Sequence, residues 1–304
     1  WFDESRQGQM SGIESLVGSL GSVVAQTPLA FLLQFISWRM TIVGVGVLTL
    51  VLSVLAFFFV KDSADARLSG KITSTARKSG NGKKKSPVKT FVAIYRNKYT
   101  RPILVVIFIH MSVNAVFSST FAIPYLSHTF GLSTVGAARY TTIQAFGQMF
   151  GGIICGTISD KLGSRKKVVI AMSGLSLLTW TMFVYGTSLL SIPALMVVIM
   201  FINGTVYYQT VMLFFCSKEL NDPQYVGSAV SAVNVVGMMG SAIAPKAAGF
   251  IMNGLKDKGV TGAELYHDCF TFFWAASAVM FVAAFFIKES HCRNRYHELV
   301  MRPE

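Results

Sequence analysis

The chain has 304 residues, 52% of them hydrophobic and 13% charged, where an ordinary soluble domain carries about 25% charged residues. This argues against a water-soluble enzyme, and the abundance of apolar residues rules out disorder for most of the chain. A net charge of +13 would point a soluble protein toward nucleic acid. In so apolar a chain it reads as the lysine and arginine asymmetry of a membrane protein, with no nucleic-acid partner expected.

A helix crosses the hydrocarbon core in about 20 apolar residues. Eight runs of that kind occur, at 10–36, 40–60, 102–127, 133–158, 168–187, 189–216, 226–253 and 267–287. Alternating strand patterns are missing, so the expected fold is an all-α helical bundle of eight transmembrane helices. The first run carries Ser15, Ser19, Ser22 and Gln26 on one face, and the second has no charge at all. Segment 61–101 follows as one long linker with 12 basic residues, its last part (Pro87–Lys98) reading as an amphipathic surface helix. It sets topology and offers a surface for anionic membrane lipid.

Later spans carry polar stripes. His110, Asn114 and Ser118 recur at i, i+4 and i+8 in the third, and Gln144 with Gln148 at i+4 in the fourth. Asn203, Tyr207 and Thr210 share a face of the sixth; Ser231, Asn234, Met238 and Ser241 share one of the seventh, which also holds Pro245 and Lys246. One serine in a helix is best read as packing. Five stripes on five helices point to a shared wet cavity. Candidate solute-binding residues are therefore Gln26, His110, Asn114, Gln144, Gln148, Asn203, Tyr207, Asn234 and Lys246. Lys246 either supplies a fixed charge for an anion or snorkels to the interface. His110 either titrates or is a hydrogen-bonded core histidine. Gly147 with Gly151, Gly152 with Gly156, and Gly237 with Ser241 allow close helix approach. Pro28, Pro124 and Pro245 bend their helices.

With residue 1 placed in the cytoplasm, segments 1–9, 61–101, 159–167, 217–225 and 288–304 hold 22 of the 27 basic residues. Both ends of the chain are expected to be cytoplasmic, in a plasma membrane or a bacterial inner membrane. Hydrolytic, redox, nucleotide and metal motifs are missing from the sequence, so no enzyme activity, cofactor or metal site is expected. The four cysteines form no CxxC pair and read as free thiols.

The most specific segment is Gly156–Lys167, GTISDKLGSRKK. It resembles the G-x-x-x-D-[RK]-x-G-[RK]-[RK] loop of the major facilitator superfamily, through Gly156, Asp160, Lys161, Gly163, Arg165 and Lys166, with Ser164 inserted. That resemblance implies that 102–304 is the six-helix C-terminal bundle with a cytoplasmic tail. It also implies that 1–60 is the last two helices of the N-terminal bundle and 61–101 the central loop. The two runs then correspond to family helices five and six. The family's first four helices are expected to lie upstream, and this stretch alone is expected not to transport. The loop is implied to be a cytoplasmic latch between halves, with Asp160, Lys161, Gly163, Arg165 and Lys166 as gating residues. Asp160 is expected within reach of Arg165, Lys166 or the backbone N–H groups of Gly8–Gly12. Segment 217–254 is similar to sugar-phosphate and organic-anion permeases. The implied function is secondary active transport of a small polar, anionic organic solute by alternating access, as symport or antiport with H+, Na+ or a counter-anion. The competing reading is a membrane sensor or scaffold that keeps the fold without transport.

Overall fold

The computed structural model describes residues 35–59 and 87–300, together with Ile13, Val17, Gly18 and Gly21. The first predicted run, with Gln26 and Pro28, lies almost wholly outside them, as do Gly8–Gly12 and linker residues 61–86. Two compact units make up the chain; the first contributes a single described helix, and the second spans 87–300 of the described structure.

The helix of the first unit, α1 (Trp38–Phe59), starts at Ser37, whose hydroxyl accepts from the Met40 backbone N–H, and none of its side chains is buried. A helix that is apolar all round and buries nothing is suited to lipid on every side.

The second unit opens with α2 (Pro87–Arg96). Its apolar face packs on a later helix: Ile94 is buried with Ala229 and Ala232, and Tyr95 Oη donates to the Ala232 carbonyl at 3.1 Å. Lys89 and Arg96 point outward. The first long helix is composite. An α-helical part, α3 (Arg101–Asn114), runs into a π-helical turn (Ala115–Phe121) and resumes as α4 (Ala122–Phe130), ending at Gly131 with φ +66°. Then come α5 (Thr134–Leu162), α6 (Arg165–Tyr185), the short α7 (Thr187–Leu190), α8 (Pro193–Val206), α9 (Gln209–Leu220), α10 (Val226–Asp257), α11 (Gly262–Phe285) and α12 (Tyr296–Val300). α8 and α9 are nearly continuous and form one span.

Among the described residues six helices are long and apolar enough to cross a membrane: Trp38–Phe59, Arg101–Phe130, Arg165–Tyr185, Pro193–Leu220, Pro223–Asp257 and Gly262–Phe285. α5 has 29 residues and the length to cross, but Arg139, its glutamines and its run of glycines make it less apolar. All-helical architecture agrees with the expected bundle, and the cysteines are free.

The main packing pairs are α5 with α8, α3 with α10, and α6 with α11. Small residues set the first two. A Cβ on Gly147 would run into the Phe201 carbonyl, one on Gly204 into the Gln144 carbonyl, and one on Gly240 into the Phe108 carbonyl. Backbones this close gain dispersion along their length, which drives helix association where lipid is as apolar as leucine. At one end, Phe117 of the π turn anchors an aromatic cluster. It stacks on Phe183 at 4.3 Å between centroids and meets Tyr125, Trp180 and Phe270 edge-on.

Candidate functional site

Two polar assemblies occur in the second unit: a cavity beside the π turn, and an ionic network at the end of the bundle that carries Asp160.

The cavity holds about 440 Å³ and is lined by Met111, Asn114, Ala115, Ser118, Ser119, Gln148, Tyr207, Ser241 and Pro245. Three candidates from the sequence line it directly: Asn114, Gln148 and Tyr207. Three more are buried behind it and hold its wall. His110 is fully buried, with Nε2 3.0 Å from Thr210 Oγ1 and Nδ1 3.3 Å from Asn114 Nδ2. Asn114 Nδ2 also donates to the His110 carbonyl at 2.8 Å. A carbonyl only accepts, so it fixes the amide orientation; His110 Nδ1 is then an acceptor, and Nε2–H donates to Thr210. His110 therefore staples α3 to α9 and does not face a solute. Gln144 Nε2 donates to Ser118 Oγ at 2.6 Å and to Asn203 Oδ1 at 2.7 Å, while Asn203 Nδ2 donates to Thr179 Oγ1 at 3.3 Å. This chain crosses from the π turn through α5 and α8 to α6.

The remaining candidates stand apart. Asn234 is half-buried and Lys246 exposed, and neither belongs to the cavity lining. Arg139 is likewise exposed away from it. Gln26 lies outside the described residues. Ser119, Met111 and Ala115 were not singled out by the sequence. Met111 and Ala115 stand with Asn114 and Ser118 at i, i+3, i+4 and i+7, one ordinary helix face, and Ser119 joins them within the wider π turn.

At the network end, local sequence dictates the turn. Ser133 caps the start of α5, and Gly163 ends it at φ +57°, a conformation that side chains rarely adopt. Ser164, the inserted residue, then caps α6 by accepting from Lys167 N–H at 3.2 Å, and its hydroxyl donates to Glu289 Oε2. This reversal turns Arg165 inward, where only 1% of it is exposed. Its guanidinium lies 2.7 Å from Asp160 Oδ1, 3.4 Å from Glu219 Oε1 and 2.8 Å from Ser159 Oγ, with the Phe215 ring beneath it. Lys166 Nζ donates to the Phe285 carbonyl at 2.7 Å, neutralising the C-terminal end of α11. Lys161 is exposed.

The segment after α11 closes this network. Ser290 Oγ donates to Glu219 Oε2 at 2.5 Å, Arg295 Nη1 to the Glu289 carbonyl at 3.0 Å, and Asn294 Nδ2 to the Lys218 and Asn221 carbonyls. Burial pushes the Glu289 carboxyl up, but hydrogen bonds from Ser164 and from the His291 and Ser290 backbone outweigh it and hold it below the usual carboxylate range. Burial pushes the Cys292 thiol up to about 11, which leaves it protonated and unreactive at neutral pH. Sequence reasoning found Asp160 and Arg165, five positions apart, but missed Glu219, Glu289 and Ser290, which only the fold brings near.

A model of the Major Facilitator Superfamily matches residues 1–245. Inner membrane protein YqcE of Escherichia coli (strain K12) is 25% identical over 259 residues, which cover 83% of this chain and 56% of that protein. Putative glycerol-3-phosphate transporters 1 and 2 of Arabidopsis thaliana are both 24% identical, over 282 and 281 residues, covering 83% of this chain and 53% and 55% of theirs. The chain spans about half the length of the curated relatives it matches.

Proposed function

The chain belongs to the major facilitator superfamily, and we propose that the protein is a secondary active transporter moving a small polar organic solute by alternating access. The observation that carries this reading is the cavity. Hydrogen-bonding side chains from four elements converge on one concave wall midway along membrane-length helices. A scaffold could fill that space with leucine, and polar groups at bilayer depth are costly unless they pair across helices or face a wet path. The names of the two plant relatives favour an organic anion. In this unit, Lys246 and Arg139 lie off the cavity wall, so the site derives no charge from either.

The network end is assigned to the cytoplasm, because most lysines and arginines outside the spans lie on that side. There the Asp160–Arg165–Glu219 cluster is the counterpart of the expected latch, with Lys161 and Gly163 shaping its loop. Partners then include membrane lipid and a coupling H+, Na+ or counter-anion. Liposomes containing the protein at its natural length, tested for uptake of a panel of labelled polyols, sugars and organic anions, check this directly. Saturable uptake of at least one solute is expected. No uptake above protein-free liposomes across the panel, from protein that remains folded, would contradict it.

A further inference from the structure

We infer that residues 288–300 form a strap that lifts from the network end of the bundle, and that Asp160, Arg165 and Glu219 exchange partners only while it is lifted. The inference rests on the latch reading above and names what regulates that latch.

Seated, the strap caps α9 from outside. The last four carbonyls of a helix have no partner within it, and in α9 each finds one elsewhere. The Ser217 carbonyl accepts from Asn221 Nδ2 at 2.9 Å, and the Leu220 carbonyl from Asn97 Nδ2 at 3.0 Å. The strap claims the two between: the Lys218 carbonyl accepts from Asn294 Nδ2 at 3.1 Å, and the Glu219 carbonyl from the Arg295 N–H at 2.9 Å. Ser290 meanwhile occupies Glu219 Oε2, and both Glu219 and Arg165 stay buried. A new partner reaches neither group in that arrangement.

Two features favour release. His291 (φ +55°) and Cys292 (φ +57°) are adjacent non-glycine residues in the left-handed region, a conformation that persists only where the surroundings over-determine it. Here the Glu289 carboxylate holds the turn, accepting from the Ser290 and His291 N–H groups and from the Ser164 hydroxyl. The contacts that seat the strap are also mostly polar. Leu299 packs against the apolar core, but the hydrogen bonds lie at the end of the bundle, where water replaces them at small net cost. An element with few buried apolar contacts opens before the bundle does. Cys292 reports that opening. Its half-buried Sγ lies 3.9 Å from the Ser159 carbonyl, and a thiol that burial keeps protonated reacts slowly until it meets water.

The test is the rate at which a maleimide modifies Cys292 in the natural-length protein in detergent, which needs no flux. Asn294→Ala removes two hydrogen bonds made by an exposed side chain and should quicken modification roughly tenfold. Ser290→Ala should do the same. His291→Gly relieves the left-handed backbone and should slow modification roughly threefold, after allowing for glycine's added freedom in the lifted strap. The buried Cys155, Cys216 and Cys269 should stay unmodified throughout, which separates strap release from unfolding. In liposomes Asn294→Ala should raise the uptake rate and His291→Gly lower it, with apparent affinity unchanged. Three outcomes would overturn the inference: modification rates that none of the variants changes, modification of the buried cysteines as fast as Cys292, or shifted modification with unshifted uptake. Shifted modification with no uptake by any variant or by the parent would instead sink the transport reading and leave the strap standing.

Discussion

Arg165 is the residue on which the network end depends. One buried guanidinium serves two carboxylates, Asp160 and Glu219, at 2.7 and 3.4 Å. Removing it takes the shared guanidinium from two buried acids, so Arg165→Ala should cost about 3–5 kcal/mol, read as a lowered melting temperature in detergent. Asp160→Asn keeps the shape and deletes one charge. Uptake rate should fall several-fold with little change in apparent affinity, since the latch is far from the cavity; unchanged kinetics at normal abundance would remove the latch. Glu289 gives a pH signature. Its folded pKa is held below the ordinary value, so the stability it contributes is present above that ordinary value. It is lost as pH falls through the depressed folded one. Melting temperature should therefore drop between mildly and strongly acidic pH, and Glu289→Gln should flatten that drop. Asp160 with Arg165 was legible because five positions across a Gly-Ser turn bring them together. Glu219 and Glu289 were not, because they sit 54 and 125 positions from their partners in the loop.

At the scale of elements, glycines decide which helices touch. Gly147 and Gly204 face each other across α5 and α8, and that closeness places Gln144 Nε2 2.7 Å from Asn203 Oδ1. Gly204→Ala should force the helices apart at a cost of about 1–3 kcal/mol and break the Gln144–Asn203 bond. Chemical-denaturation midpoints on purified protein check the first. Faster proteolysis near α8 checks the second. The expected pairing of Gly147 with Gly151 was readable as a small-residue face, though not its partner helix. The stripes were readable only while the helix kept its ordinary period. His110, Asn114 and Ser118 share a side, yet burial divides them, with His110 wholly enclosed by α9. Beyond Asn114 the π turn resets the register, and nothing in AVFSSTF marks a π turn by composition. Lys246 was open between charge supply and snorkelling, and its exposed placement off the wall follows from α10 turning it away.

Among the described residues, the second unit joins an apolar bundle, a neutral polar wall and a charged closing network. The helices and the family were legible because spans and the GTISDKLGSRKK loop are local signals. Which polar residues share the wall was not, because it depends on how helices rotate against one another. Under the proposed transport, this wall is the solute's path, reached from each side of the membrane in turn. The most direct measurement is side-specific labelling of a cysteine introduced at Ser119, in oriented vesicles containing the natural-length protein with Cys292→Ser as background. Cys155, Cys216 and Cys269 are buried and should stay silent. Reaction with a membrane-impermeant maleimide is expected from either side, slowed from both when a transported solute is bound. Labelling from one side alone, or from neither, with no protection by any solute that the protein takes up, would contradict it.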